Sequence, residues 1–329
     1  MEIKNAILHI IKNDGNPSVY SESELDIDSE ICEAFIGKHV KKLRNNPAAR
    51  EATFMPDSAV YQALQSYMQR KTNFKDLALM LGTRFSEILN QHLDIPPADL
   101  LIVRFDVKHD QFLAVIKLNY NECFTHETKA ANGTANKLVI NQAVLPFNGG
   151  KVEEACLIPF NPMLIKLLEK PHNINGETAY YFSELFLACE TTLSRKETAQ
   201  IIGEISDEFV QEHFTGDIKT SALVKTAMTE EAEEADGIVS MDNVAARVFE
   251  NDAIKQEFVH TLREAGIVED MPLGAKFVKQ QFGTQRLKSE NGIEVKFPAE
   301  LAVDDEDMEI RHHSDGSVTI TLKRLRIQK

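Results

Sequence analysis

The sequence has no tryptophan and only four cysteines, and no two cysteines form a C-x-x-C pair. These residues, Cys32, Cys123, Cys156 and Cys189, lie far apart, each within an apolar stretch. Such usage predicts reduced, packed thiols in a cytoplasmic protein and argues against a disulfide framework or a catalytic cysteine. The absence of tryptophan excludes no function.

Long apolar runs are also absent. No run approaches the ~20 residues that a membrane helix needs, so we expect no membrane partner. The start, MEIKNAILHIIKND, is too short and too soon charged for a secretory signal. The 43% hydrophobic and 26% charged fractions are those of a globular protein.

The sequence lacks the common motifs of catalytic and nucleotide-binding sites. Gly149, Gly150 and Lys151 do not complete the phosphate-binding loop G-x-x-x-x-G-K-[ST], and neither G-x-G-x-x-G nor G-x-S-x-G occurs. Asn148-Gly149-Gly150 is better interpreted as a hairpin turn. We therefore expect no catalysis, although an enzyme with an unrecognised site remains a third alternative.

Metal-binding patterns are scarce as well. H-E-x-x-H is absent, and the adjacent His312 and His313 would point to opposite faces of a strand. The acidic run at 304–307 offers oxygen ligands but lacks the alternating pattern of a calcium loop, so a solvated turn is the simpler interpretation. The sequence predicts no metal and no cofactor.

Negative charge dominates the chain, with 51 Asp and Glu against 36 Lys and Arg and a formal net charge of −15. The 58 residues from Pro272 onward differ, because they hold 10 Lys and Arg against 9 Asp and Glu, a formal +1. The other 271 residues therefore carry −16. Since the whole molecule repels anions, an anionic partner must be met locally.

The residue pattern predicts an α+β fold in two domains, residues 1–190 and 191–329. The N-terminal domain is expected to be mixed, with an antiparallel sheet and helices. Helices are expected at 29–45, 56–71 and 74–93. Three β-hairpins are expected: one at 1–28, one of 100–105 with 112–118, and one of 138–140 with 155–158. Further strands are expected at 164–168 and 178–182, around an Asn175-Gly176 turn.

The C-terminal domain is predicted to be helical and to end in a small antiparallel sheet. Ser194 and Glu197 match the capping box S-x-x-E. Further helices are expected at 218–228, 240–250 and 252–265. The acidic stretch 229–237 is either an exposed connection or a solvated helix end. Strands are expected at 293–297 and 317–322, with 309–311 pairing to 318–320.

Basic residues form three clusters. The tail cluster comprises Lys276, Lys279, Arg286 and Lys288, within 13 residues and interleaved with Phe277, Gln280, Gln281, Phe282 and Gln285. No acidic residue lies between Asp270 and Glu290. The second cluster is 323–329, and the third is the helix face of Lys38, Lys41 and Lys42, extended by Arg44.

Lysine and arginine neutralise phosphates, while glutamine and Thr284 are able to donate to phosphates or base edges. For each cluster taken alone, an ordinary solvated face is the competing interpretation. The acid-free run at 271–289 is the least typical of so acidic a chain.

Dispersed segments resemble the 37-kDa nucleoid-associated bacterial proteins over nearly the whole chain. At the end these are FVKQQF (277–282), QRLK (285–288), GIEVKFP (292–298) and DGSVTI (315–320). At the beginning they are AILH (6–9), YSESELD (20–26) and IGKHV (36–40). The resemblance implies a cytoplasmic protein of the nucleoid that binds double-stranded DNA without catalysis. It supplies no catalytic motif and no DNA-contact residues.

The DNA contacts are therefore predicted from charge alone. Lys276, Lys279, Arg286 and Lys288 are expected to contact phosphates, and the face of Lys38, Lys41 and Lys42 to form a secondary surface. Such contacts imply low sequence specificity. A homodimer would align two basic surfaces. The rival hypothesis is an acidic adaptor that a DNA-bound nucleoid protein recruits.

Overall fold

The computed structural model describes residues 1–129, 135–146, 151–267, 270–303, 306–314 and 316–324. The chain divides into two units, Met1–Ser194 and Arg195–Lys329. The predicted fold class is confirmed, because the first unit combines an antiparallel sheet with helices and the second is helical and followed by small antiparallel sheets. The domain boundary after residue 190 stays a prediction.

The first unit begins with a strand and alternates between helical and strand segments. In chain order its elements are β1 (Glu2–Ile11), α1 (Glu30–Arg44), β2 (Arg50–Phe54), α2 (Ala59–Met68), α3 (Phe74–Gln91), β3 (Ala98–Val107), β4 (Asp110–Asn119), β5 (Asn121–Lys129), β6 (Ala135–Val144), β7 (Glu154–Pro159), β8 (Ile165–Leu168), β9 (His172–Ile174), β10 (Glu177–Ala179), a π-helix (Phe182–Leu187) and β11 (Cys189–Thr191). The predicted helices and the predicted β3–β4 hairpin are confirmed.

A seven-stranded antiparallel sheet organises this unit, in the order β1-β3-β4-β7-β8-β2-β11. Its central strands are apolar at successive positions because both faces are covered. Leu100 and Ile102 of β3 pack in the core that contains α2 and α3, whereas Leu101 and Val103 pack in the core that contains α1. Alternate side chains of a strand point to opposite faces, so a continuous apolar run fills two cores.

Two predicted hairpins of this unit are wrong. In place of the hairpin predicted at 1–28, β1 pairs with β3. The segment that follows β1 contributes only an isolated bridge between Ile10 and Val19. β6 pairs with β5, which the sequence reading missed, and β7 lies between β4 and β8. The reason is burial, since β7 is buried from Glu154 to Ile158 and so belongs inside the large sheet. The supposed turn at 148–150 lies outside the described residues.

Two smaller expectations also fail. The predicted strand 178–182 is replaced by β10, which ends at Ala179, and by the π-helix that begins at Phe182. All four cysteines are free thiols, but only Cys156 and Cys189 are buried, and Cys123 is exposed on β5. None of the helices in the described part of the chain has the length and apolar character to cross a membrane.

The second unit is helical at first and then forms short ribbons. Its elements are α4 (Arg195–Phe214), α5 (Ile218–Glu234), β12 (Ile238–Ser240), α6 (Met241–Val248), α7 (Asp252–Glu264), β13 (Asp270–Pro272), α8 (Ala275–Phe282), β14 (Thr284–Lys288), β15 (Glu294–Pro298), a 3₁₀ helix (Ala299–Ala302), β16 (Met308–His312) and β17 (Val318–Leu322). β12 pairs with β13 and β14 pairs with β15, neither of which was predicted. β16 pairs with β17 as predicted.

The acidic stretch 229–237 is largely the end of α5, not an exposed connection. Glu231 is buried within it and lies 2.9 Å from Arg247 Nη2. Asn243 Nδ2 donates a second hydrogen bond of 2.7 Å to the same carboxylate. One of the five carboxylates therefore links α5 to α6 inside the unit.

Candidate nucleic-acid interface

The tail cluster lies on two consecutive elements. Lys276 and Lys279 lie on α8, while Arg286 and Lys288 lie on β14. α8 buries Phe277, Val278 and Phe282, and this leaves both lysines exposed. Phe277 and Phe282 are therefore part of the core and are not available to stack on bases.

Gly283 connects α8 directly to β14. The N–H of Gly283 donates to the carbonyl of Lys279 at 3.0 Å, which ends α8. A Cβ at this position would lie 2.5 Å from the Lys279 carbonyl oxygen. Only glycine allows the strand to follow the helix without a shift in the backbone.

The pairing of β14 with β15 sorts the side chains of this ribbon onto two faces. Gln285 lies opposite Phe297 and Leu287 opposite Val295, and these residues pack inward. Arg286 lies directly opposite Lys296, and Lys288 directly opposite Glu294. Directly opposed residues share one face. We call Arg286, Lys288, Lys296 and Glu294 the basic ribbon face, and all four are exposed.

Lys296 was not among the predicted contact residues. The signal was present in the sequence, because Asn291-Gly292 is a turn dipeptide between two stretches of period-two residues. Pairing them would have placed Lys296 beside Arg286.

Two of the four tail cations already face carboxylates. Lys279 Nζ lies 2.8 Å from Glu233 Oε1, and this contact raises the pKa of Lys279. Arg286 Nε lies 2.9 Å from Glu294 Oε1. Lys276 and Lys288 form no ion pair with any residue that the structure describes. All members of both pairs are exposed, where water screens the attraction between the charges, so exchange of the carboxylate for a phosphate costs little.

One predicted base-reading side chain is not accessible. Gln285 is buried, and its Oε1 accepts a hydrogen bond of 2.6 Å from Lys225 Nζ. Gln280 and Gln281 are exposed on α8, and Thr284 is half-buried. The period-two alternation of β14 explains the difference, because Gln285 points away from its neighbour Arg286.

The other two clusters differ in character. Lys323 pairs with Glu309 and Arg324 with Glu306, each at 3.1 Å, and residues 325–329 lie outside the described part. Lys38, Lys41 and Lys42 are exposed on α1, opposite a face that buries Ile36, Val40 and Leu43. Lys41 and Lys42 also lie in the last turn of α1, where positive charge stabilises a helix end without any ligand.

Arginine also lines a cleft of about 340 Å³ in the first unit, which the sequence reading missed. Its walls are Tyr67, Met68, Arg70, Thr72, Arg104, Gln111 and Phe160. Arg104 packs over the Phe160 ring and pairs with Asp106 at 2.5 Å, which neutralises part of its charge. These walls carry no carboxylate, imidazole or thiol. Among the described residues, no group of three His, Cys, Asp or Glu is arranged to hold a metal.

The comparison with known families decides the identity of the chain. A family model described as NA37, nucleoid-associated protein YejK, matches residues 7–328. The chain belongs to the NA37 family. The match extends over nearly the whole chain and confirms the resemblance seen in the sequence. Membership in NA37 makes this a bacterial protein of the nucleoid. The chain matches none of the curated proteins with which it was compared.

Proposed function

We propose that this NA37 protein binds double-stranded DNA directly, mainly through phosphate contacts and with low sequence specificity. The basic ribbon face carries the proposal. On it, Arg286 and Lys296 lie directly opposite each other, with Lys288 on the same face and Glu294 as the carboxylate partner of Arg286. Like charges directly opposite each other destabilise a strand pair. A phosphate lying across this face would relieve the repulsion.

Lys276 and Lys279 on α8 extend the surface along the chain, and Lys38, Lys41 and Lys42 are proposed as a secondary surface. Low specificity follows from chemistry, because phosphate contacts carry no base code. The burial of Gln285 supports this, since it removes one group able to read a base edge. Net repulsion between DNA and a chain of −15 makes a local basic face necessary.

We further propose a homodimer without enzymatic activity. Two copies would present two basic ribbon faces, which increases attraction to DNA over a single copy.

A gel shift with purified protein and a duplex of arbitrary sequence tests direct binding. The variant carries Arg286→Glu, Lys288→Glu and Lys296→Glu. The control carries Lys75→Glu, Lys166→Glu and Lys196→Glu, three exposed lysines whose reversal changes the net charge equally. We expect the variant to lose DNA retention and the control to keep most of it. Equal losses would show that total charge alone decides the binding.

The salt dependence gives a second measurement. If about six phosphates are neutralised, log affinity falls with log salt at a slope near −5, and the triple variant should flatten it by about 3. A salt-insensitive interaction would contradict phosphate contacts.

The rival function is an acidic adaptor that reaches the nucleoid through a basic DNA-bound protein. The pairing of Lys279 and Arg286 with carboxylates favours this rival, because it leaves less positive charge to meet DNA. Purified protein that shifts no duplex at low salt, but does so once a basic DNA-binding protein is added, would support the adaptor and overturn direct binding.

A further inference from the structure

The β5–β6 ribbon stands apart from the large sheet. Its two strands pair with each other and with no other strand of the described chain. Every side chain from Asn121 to Thr128 is exposed, and those from 136 to 144 are exposed or half-buried. β4, which precedes it directly, is buried from Leu113 to Leu118.

One face of the ribbon carries a cluster of three exposed apolar side chains, and the same face ends in the hydrogen-bonded polar pair of Thr128 and Asn136. Phe124 lies directly opposite Ile140, and His126 directly opposite Leu138. The apolar members Phe124, Leu138 and Ile140 are 74%, 74% and 51% exposed. We call Phe124, His126, Leu138 and Ile140 the apolar ribbon face. The opposite face carries Cys123, Thr125 and Glu127 across from Asn141, Val139 and Lys137.

This arrangement needs a partner. An isolated two-stranded ribbon is at best marginally stable in water, and contiguous exposed apolar side chains mark an interaction surface. The free edge of β6 also lacks features that prevent pairing with a further strand, because the segment LVINQAV at 138–144 contains no charge and no proline. Proteins normally protect an exposed edge with one of these.

The charge of the ribbon favours a second copy of this chain as the partner. Residues 121–144 hold Glu122, Glu127, Lys129 and Lys137, so the ribbon has no net charge in a chain of −15. Two copies repel each other through most of their surface, and the ribbon is a region where they can approach without that cost. A strongly basic partner would instead gain more from the acidic surface than from a neutral, apolar one.

We propose that two copies associate by packing their apolar ribbon faces against each other about a two-fold axis. In such an isologous contact, Phe124 and Leu138 of each copy are covered by the same residues of the other. Cys123 and Thr125 then point away from the contact. This inference deepens the proposed homodimer and is independent of DNA binding.

Sedimentation velocity of the full chain without DNA tests it over a range of protein concentrations. Phe124→Glu places a charge in the contact twice, once per copy, and we expect the dimer dissociation constant to rise by about 100-fold or more. Thr125→Glu is the matched control, with the same new charge on the next residue but the opposite face, and should leave the constant within about threefold.

Both positions are exposed, so neither change disturbs the core, and circular dichroism of each variant checks the fold. A wild type that stays monomeric, or a Phe124→Glu variant that dimerises normally, overturns the proposal. Labelling of Cys123 with a maleimide supplies a second readout, because it should proceed equally in monomer and dimer. Protection of Cys123 on dimerisation would place the contact on the other face and also overturn it. Because DNA is absent, failure here is separate from failure of DNA binding.

Discussion

Lys117 Nζ lies 2.7 Å from Glu154 Oε2, and neither side chain is exposed. The two residues are directly opposite each other on β4 and β7. Glu154 Oε1 also lies 2.9 Å from His172 Nε2. Burial by itself would raise the pKa of Glu154, but the hydrogen bond from His172 and the charge and hydrogen bond of Lys117 outweigh it and lower the pKa to about 2. Burial lowers the pKa of Lys117, and the charge and hydrogen bond of Glu154 oppose that shift. The first unit thus contains a buried, hydrogen-bonded Lys117–Glu154 pair within its sheet.

Removal of the Glu154 charge should destabilise the protein strongly. Glu154→Gln leaves the buried ammonium of Lys117 without its counter-charge, which typically costs about 3–5 kcal/mol of unfolding free energy. Urea unfolding of the full chain measures this loss. Glu153→Gln is the control, since the adjacent carboxylate is partly exposed and its ion pairs with Lys151 and Lys170 contribute about 0–1 kcal/mol each. Equal losses in the two variants would contradict a special role for the buried pair.

The same carboxylate predicts a pH dependence with a definite sign. Its pKa is about 2 in the folded chain against an ordinary value of 4.5, so the ionised form stabilises the fold. That contribution is fully present above pH 4.5 and is lost as pH falls toward 2. Unfolding free energies of wild type and Glu154→Gln should therefore converge on acidification. A difference that stays constant over this interval would show that folding does not lower the pKa of Glu154.

Removal of the carboxylate on the basic ribbon face should strengthen DNA binding. Glu294→Gln releases Arg286 from its 2.9 Å ion pair and removes a negative charge that repels phosphate. Because the pair is exposed, we expect a gain of about threefold to fivefold in affinity. Glu250→Gln, an exposed carboxylate elsewhere in the same unit, gives the same change in net charge and should have a smaller effect. Equal gains would argue that the ribbon is not the contact surface.

Alanine substitutions at two glycines of the second unit should distinguish destabilisation by backbone strain from destabilisation by steric crowding. Gly237 and Gly266 both have positive φ, at +88° and +81°. A Cβ on Gly237 would lie 2.8 Å from Gly274 Cα, whereas a Cβ on Gly266 meets nothing within 4 Å. Gly266→Ala should cost roughly 1–2 kcal/mol through strain alone. Gly237→Ala should cost about 1–3 kcal/mol more through overpacking. Thermal unfolding of both variants measures which is less stable. A Gly266→Ala variant less stable than Gly237→Ala would refute the prediction.

Local pattern was sufficient for the helices that it predicted and for the alternation of the outer strands, but α8 and the π-helix were not predicted. The apolar residues of α1 recur at helical spacing as Ile36, Val40 and Leu43, and all three are buried. The strands 309–311 and 318–320 alternate with period two and pair as expected. These features depend on neighbours within a few residues, so periodicity and turn residues determine them.

Local sequence pattern did not predict the pairing of strands that lie far apart in the chain. β1 pairs with β3, some ninety residues later, in a register that runs from Glu2 opposite Asp106 to Ile11 opposite Ala98 and shifts between Ile3 and Asn5. A nearby turn signal predicted a local hairpin instead. Pairing choice depends on which faces can be buried together, and this is a property of the assembled sheet.

The candidate interface shows the same division. The sequence alone determined that positive charge is concentrated near the end of an acidic chain, because composition does not depend on folding. The Asn291-Gly292 turn already indicated the pairing that places Lys296 beside Arg286. Only the tertiary structure decided that Gln285 is buried and that Lys279 faces Glu233. Electrostatic contacts act over a few ångströms between residues distant in sequence, so the fold has to be known before a charge can be called available.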